Sequence, residues 1–280
     1  MRQGPTARGY TIVEVIVVMS VTAALLLSAM ILIAGQQNKT QFTQSINDVN
    51  SKIQDVLNDV TTGYYANTNN FYCDGVGSTV NLHSGTNNQG TNKDCIFIGR
   101  AMQFTQSSNY NVFDIVGLRQ VATGGVNREV SKISETKPKA IAPSGTEPSL
   151  PDATDHANLQ YGLKPYNMVY KSGGVANYIG AVIFMSSFGS YNNSGNLVSG
   201  AQAVNLIPLT TTRIWSTPDQ IADAVNALND AAVVNPDGGV TICFDSGGTK
   251  QYGLITIGSH NRKLTTDLVI QQGDCSTWVP

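Results

Sequence analysis

The chain has 280 residues, enough for one or two domains, with a formal net charge of −2 and only 13% charged side chains. That balance provides no global basic field to hold nucleic acid. Gly, Ser, Thr and Asn are abundant and Lys is sparse, which suits a β-rich exported domain better than a cytoplasmic enzyme.

The first element is the longest. Residues 12–34 read IVEVIVVMSVTAALLLSAMILIA, an apolar run with one charge, Glu14. As a helix rising about 1.5 Å per residue it spans about 35 Å, enough to cross a bilayer. A carboxylate in such a segment costs roughly 2.5–3.5 kcal/mol on insertion scales, less near the membrane edge, and so requires a partner or a function. Arg2 and Arg8 precede the run and the next basic residue is Lys39, so the positive-inside rule leaves residues 1–9 in the cytoplasm and the rest outside. Gly9 presents no side chain to a protease, which makes Gly9-Tyr10 a processing bond. A cleavable secretory signal fits poorly: the run is too long, contains a glutamate and lacks a small-x-small site after Ala34.

Arg8-Gly9-Tyr10-Thr11-Ile12-Val13-Glu14, opening an apolar helix behind a basic leader, resembles the N-terminus of type IV prepilins and pseudopilins. The resemblance covers about the first 50 residues and implies cleavage after Gly9 by a prepilin peptidase. It further implies N-methylation at Tyr10 and an assembly role for Glu14, the fifth residue of the processed chain. Tyr10 stands where the family most often has Phe, and an aromatic ring is kept. The mid-helix proline common in major pilins is missing, which leans towards a minor pilin or pseudopilin.

Beyond the apolar run, Phe42, Ile46, Val49, Ile53, Val56 and Val60 step by four and three, a narrow stripe on a continuing helix. Polar residues fill the other faces, and Gly63 ends the helix. The expected division is a leader (1–9), a helix (10–63) and a β-rich globular domain (64–280). Within the helix, 10–34 is transmembrane or fibre core and 35–63 is amphipathic. The stripe needs a covering surface, most simply a sheet of the same chain; a free coiled coil would need the same seam.

Residues 64–94 read mostly as loop. Strand patterns follow at 95–104 and 111–121, with a weaker one near 129–133, and then a proline-rich irregular excursion over 134–165. Further strands are expected at 167–170, 175–185 and 203–210. Thr217-Pro218-Asp219-Gln220, followed by Ile221, Ala224, Val225 and Leu228, predicts a short packing helix with a capping box. Strands at 240–244, 252–257 and 264–270 with Gly-rich turns form a terminal antiparallel meander. That meander resembles the C-terminal sheet of minor pilins and secretion pseudopilins.

Four cysteines, Cys73, Cys95, Cys243 and Cys275, lie on the exported side, where disulfides are favoured. More than one pairing is open; the sequence-local pairs Cys73–Cys95 and Cys243–Cys275 are expected, at roughly 3–4 kcal/mol each from chain entropy. No C-x-x-C spacing supports zinc.

Candidate chemistry is thin. His83, His156 and His260 are far apart, and no nucleophile elbow, H-E-x-x-H or phosphate-binding loop occurs, so no enzyme and no cofactor is expected. Asp230, Asn235 and Asp237 offer oxygen atoms to Ca²⁺, but Asn-Pro-Asp-Gly is turn chemistry and no metal is expected. His260, Arg262 and Lys263 form a small basic cluster, a candidate DNA contact with a weak footprint; a solvated turn blunting a sheet is the plainer reading. Asn38 and Asn192 stand in glycosylation sequons.

The reading as a whole is an α+β chain, a long N-terminal helix packed on a C-terminal antiparallel sheet domain in the manner of pilins. The expected function is structural: a minor-pilin-like subunit of a type IV pilus or related filament, for adhesion, motility or DNA uptake. Its expected partners are other pilin subunits, prepilin peptidase, the assembly machinery, the membrane and, as a candidate, DNA or a surface ligand. It would sit in the cytoplasmic membrane with a single pass, N-terminus inside, and then in an extracellular fibre. The competing readings are a type II secretion pseudopilin and an anchored extracellular binding protein that does not assemble.

Overall fold

A computed structural model describes residues 10–63, 71–76, 79–84, 95–123, 125–141, 155–186, 204–230, 238–248, 250–260, 263–278 and 280. Helix α1 (Ile12–Thr62) has 51 residues, about 77 Å at 1.5 Å per residue. Thr11 is extended and accepts the Glu14 N–H on its hydroxyl at 3.3 Å. At the other end Gly63 turns left-handed (φ 67°) and its N–H meets the carbonyls of Asp59 and Val60, the glycine stop expected of a helix C-terminus. The stripe from Phe42 to Val60 is buried, and Leu57 joins it.

The remaining elements in chain order begin with a hairpin, β1 (Phe71–Val76) and β2 (Thr79–Ser84). The stretch 64–94, expected to be mostly loop, holds this hairpin; 64–70, 77–78 and 85–94 lie outside the described residues. Then come β3 (Cys95–Thr105), β4 (Asn109–Leu118), β5 (Gln120–Thr123) and β6 (Val126–Glu129). The single strand expected over 111–121 is thus β4 plus half of a separate hairpin. The weak strand near 129–133 is likewise replaced, since the chain there leaves β6 and enters a helical turn, α2 (Ile133–Thr136).

The proline-rich excursion holds two short edge segments, β7 (Lys139–Ala140) and β8 (Asp155–Asn158), both paired with β4. Next are β9 (Lys164–Ser172), β10 (Val175–Ile179), β11 (Ala181–Ser186), β12 (Val204–Pro208) and α3 (Pro218–Asn226). The meander β13 (Val240–Asp245), β14 (Gln251–His260) and β15 (Lys263–Gln272) closes the order. The strand expected over 252–257 is longer than that, since β14 runs through His260.

Two antiparallel sheets carry the domain. One has the order β10-β9-β13-β14-β15; the other has β12-β11-β3-β4-β7 with β8 also on β4. The run 175–185, expected as one strand, is divided between them: β10 pairs β9 in the first sheet and β11 pairs β3 in the second. Gly180 makes the crossing. A Cβ there would lie 1.9 Å from the Arg213 carbonyl oxygen, so the loop before α3 passes through space that any other residue would fill.

The stripe of α1 lies in a core shared by the facing sides of both sheets, including Phe104, Phe184, Ile242, Phe244 and Ile255. The opposite side of the β11-β3-β4 sheet is covered as well, by Ile221, Ala222 and Val225 of α3 with Ile133 of α2. A sheet covered on both sides has continuously buried strands instead of alternating ones, as β4 and β11 do. In β3 the bulge at Ile98 shifts the parity: Phe97 packs on the α1 side, yet Arg100, three residues on, faces Asp59 of α1 as well.

Candidate functional site

The first half of α1 is the most unusual surface of the molecule. From Ile12 to Ile33 the described large apolar side chains are exposed on every side of the helix, among them Val13, Ile16, Val17, Leu25, Leu26, Leu27 and Ile31. Large contiguous apolar surfaces of this kind mark membrane or protein contact. This half of the helix is long and apolar enough to cross a membrane, with none of its most apolar stretch buried against the rest of the chain.

Glu14 sits in its first turn, three residues after the cap, and Thr11 holds its N–H. Thr11-x-x-Glu14 is half of a capping box, and an acidic side chain here also meets the positive end of the helix dipole. This local role for Glu14 is an alternative that the apolar context alone did not suggest. Tyr10 is exposed just ahead of the cap; Gly9 lies outside the described residues.

An ion cluster ties the helix to the domain. Arg100 of β3 donates from Nε to the Asp114 carboxylate of β4 at 2.7 Å, and from Nη1 to Asp59 of α1. Its guanidinium carbon is 5.9 Å from the centre of the Phe97 ring. Nothing in the period-2 pattern of β3 marks Arg100 as inward-facing. The signal, in hindsight, is a lone arginine in an apolar strand together with an aspartate on the stripe side of the helix.

The other candidate sites are dispersed. Cys243 and Cys275 are bonded, with Cα atoms 5.9 Å apart, and both are buried on the outer side of β13 beside Tyr252. Cys95 is also disulfide-bonded; the side chain of its expected partner, Cys73, lies outside the described residues. His260 and Lys263 are cross-strand partners at the β14–β15 tip. Their side chains, and Arg262 altogether, lie outside the described residues.

Asp230 accepts from the N–H (3.1 Å) and hydroxyl of Ser134, and the hydroxyl bond first of all holds its carboxyl below the usual range. Its carboxylate therefore fastens α2; Asn235 and Asp237 lie outside the described residues. Among the described residues no cluster of His, Cys, Asp or Glu could hold a metal ion. His83 and His156 belong to different sheets, on β2 and β8.

A cleft of about 580 Å³ opens between the β3–β4 turn and the loop leading into α3, with Trp215 and His156 among its walls. Its polar groups are not a sequence motif, being drawn from β3, β4, β8 and the loop before α3, and only folding brings them together.

No family model, curated protein or solved structure matches this chain.

Proposed function

We propose that this chain is a structural subunit of a type IV pilus or related filament, with a pilin-type fold and the character of a minor subunit. The observation that carries the reading is the two-part helix. Its second half is sealed into its own domain, and its first half is apolar all round and needs a second apolar phase. Lipid supplies that phase while the chain waits as a single-pass protein of the cytoplasmic membrane, N-terminus inside. The same halves of neighbouring subunits supply it in the extracellular fibre. The size of the domain beyond Gly63 favours a minor or priming subunit over an abundant one.

In this reading prepilin peptidase cuts after Gly9, and the methylated amine at Tyr10 of one subunit approaches Glu14 of another. Pairing two charges that would otherwise stay unpaired in a low-dielectric core gives register to helices whose apolar sides could slide past one another. Glu14→Ala is expected to leave insertion and cleavage intact, since the capping and dipole contribution of an exposed first-turn acid is only about 0.3–1 kcal/mol. Incorporation into fibres should nevertheless fall. Gly9→Leu should block cleavage and hold the full-length chain in the membrane. Fibre incorporation of Glu14→Ala at the wild-type level would remove the assembly role of the carboxylate and leave an anchored binding protein as the better reading.

A further inference from the structure

We infer that the cleft between the β3–β4 turn and the loop before α3 binds a neutral saccharide, with Trp215 as its stacking platform. Trp215 is 68% exposed. An indole so placed contributes little to the core, yet the loop that carries it is fixed by hydrogen bonds. Ile214 beside it is buried. The Arg213 guanidinium donates to the carbonyls of Thr210 (3.0 Å) and Thr212 (2.7 Å), and the Arg213 N–H is bound by the Ser216 hydroxyl at 2.9 Å. On the far side the capping box of α3 fixes the backbone: the Thr217 N–H donates to Gln220 at 2.9 Å, and the Gln220 N–H returns to the Thr217 hydroxyl at 3.4 Å. An aromatic ring on a loop fixed on both sides gives contact area without an ordering cost at binding.

A polar relay sets the chemistry of the opposite wall. The Ser216 carbonyl can only accept, so Gln103, fully buried, turns its Nε2 to it at 2.6 Å. Its Oε1 then accepts from Asn111 Nδ2 at 2.9 Å. That leaves Asn111 Oδ1 facing His156 Nδ1 at 2.6 Å. Nδ1 must therefore carry a proton, and in the neutral ring Nε2 is an acceptor. The relay thus fixes both the position and the tautomer of a histidine on the cleft wall from a half-buried backbone carbonyl.

The rest of the lining decides the class of ligand. Asn109, Ser107 and Gln106 add neutral donors and acceptors, Asp219 is the one acidic side chain, and no Lys or Arg is among the described lining residues. An anion would meet a carboxylate and no fixed cation, which disfavours phosphates, uronates and nucleic acid. Small-ligand clefts of roughly 300–1,000 Å³ are usually mostly apolar with a few polar groups; this one has the volume and more apolar than polar surface, although most of its lining residues carry a polar group. A ring with one apolar face for the indole and hydroxyls for amides, a carboxylate and an imidazole fits it best. This inference does not depend on filament assembly.

The test uses the full-length chain in micelles of a zwitterionic detergent, free of sugar headgroups. It is titrated calorimetrically with neutral hexose and N-acetylhexosamine oligosaccharides, with uronate-containing oligosaccharides and with an unstructured peptide. The chain has two tryptophans, so Trp278→Phe makes indole fluorescence report Trp215 alone. Saturable binding of a neutral oligosaccharide is expected, weakened at least tenfold by Trp215→Ala and partly retained by Trp215→Phe. Absence of binding by every neutral oligosaccharide, tighter binding of the uronates or the peptide, or wild-type affinity in Trp215→Ala would overturn the inference.

Discussion

Replacing Arg100 by alanine should be among the most damaging single changes in the domain outside its apolar core. The Arg100 side chain is 9% exposed and Asp114, its partner at 2.7 Å, is 10% exposed, while Asp59 on the helix is 27% exposed. Removing the arginine takes the guanidinium they share away from one nearly buried and one half-buried carboxylate. Breaking a buried pair in this way costs about 3–5 kcal/mol. Removing Asp59 instead leaves Arg100 with Asp114 and sacrifices only the better-hydrated partner, at a cost of about 1 kcal/mol or less.

For a domain of this size 1 kcal/mol corresponds to a shift in Tm of about 2–4 °C, so Arg100→Ala should lower Tm by roughly 6–20 °C. Asp59→Ala should lower it by about 4 °C or less. Thermal unfolding of the full chain in micelles, followed by near-ultraviolet circular dichroism, separates the two. Adding Asp114→Leu to Arg100→Met should recover much of the loss, because a buried pair replaced by apolar groups of similar volume is close to neutral. Equal losses for Arg100→Ala and Asp59→Ala, or no recovery in the double variant, would refute the view that loss of the guanidinium beside the buried Asp114 carboxylate is what destabilises the domain.

The Cys243–Cys275 bridge closes a loop of 32 positions onto β13, so Cys243→Ser should cost about 3–4 kcal/mol. Hydrogen exchange should rise in β13–β15 more than in α1, and equal rises in both would count against a local role. Glu135 is held down to about 2 chiefly by the side-chain bond from Arg128. A depressed carboxyl adds stability that is fully present above its ordinary value near 4.5 and is lost as pH falls from there towards about 2. Glu135→Gln should flatten the acid limb of a stability–pH profile over that window while leaving stability at pH 7 only modestly lower, since Arg128 is well hydrated; an unchanged acid limb would show that the bond does not persist in solution.

Some of this molecule could be read from its residues one segment at a time. The spacing of Phe42, Ile46, Val49, Ile53, Val56 and Val60 places them on one side of a helix in any fold. Gly63 stops that helix, Thr217 and Gln220 start another, and the terminal strands and their glycine turns announce a meander. The apolar run ahead of them is equally explicit. Each of these signals is local, a matter of period, capping or φ, and the α+β class follows from their order.

Tertiary structure decided the rest. That 175–185 breaks at Gly180 and joins two sheets depends on a loop 33 positions later passing within 1.9 Å of where a Cβ would be, and no local preference records that approach. Double coverage of the β11-β3-β4 sheet removes the alternation by which its sides would be told apart. The bulge at Ile98 changes which residues of β3 face α1, and so brings Arg100 to Asp59. Gln103 and Asn111 are polar residues in buried strands, and their satisfaction depends on Ser216 and His156, which come from elements far along the chain. Period, caps and turns are short-range and survive in the sequence as patterns; pairing between distant polar groups and the close approach of backbones leave no such trace, because the chain must fold before those partners meet.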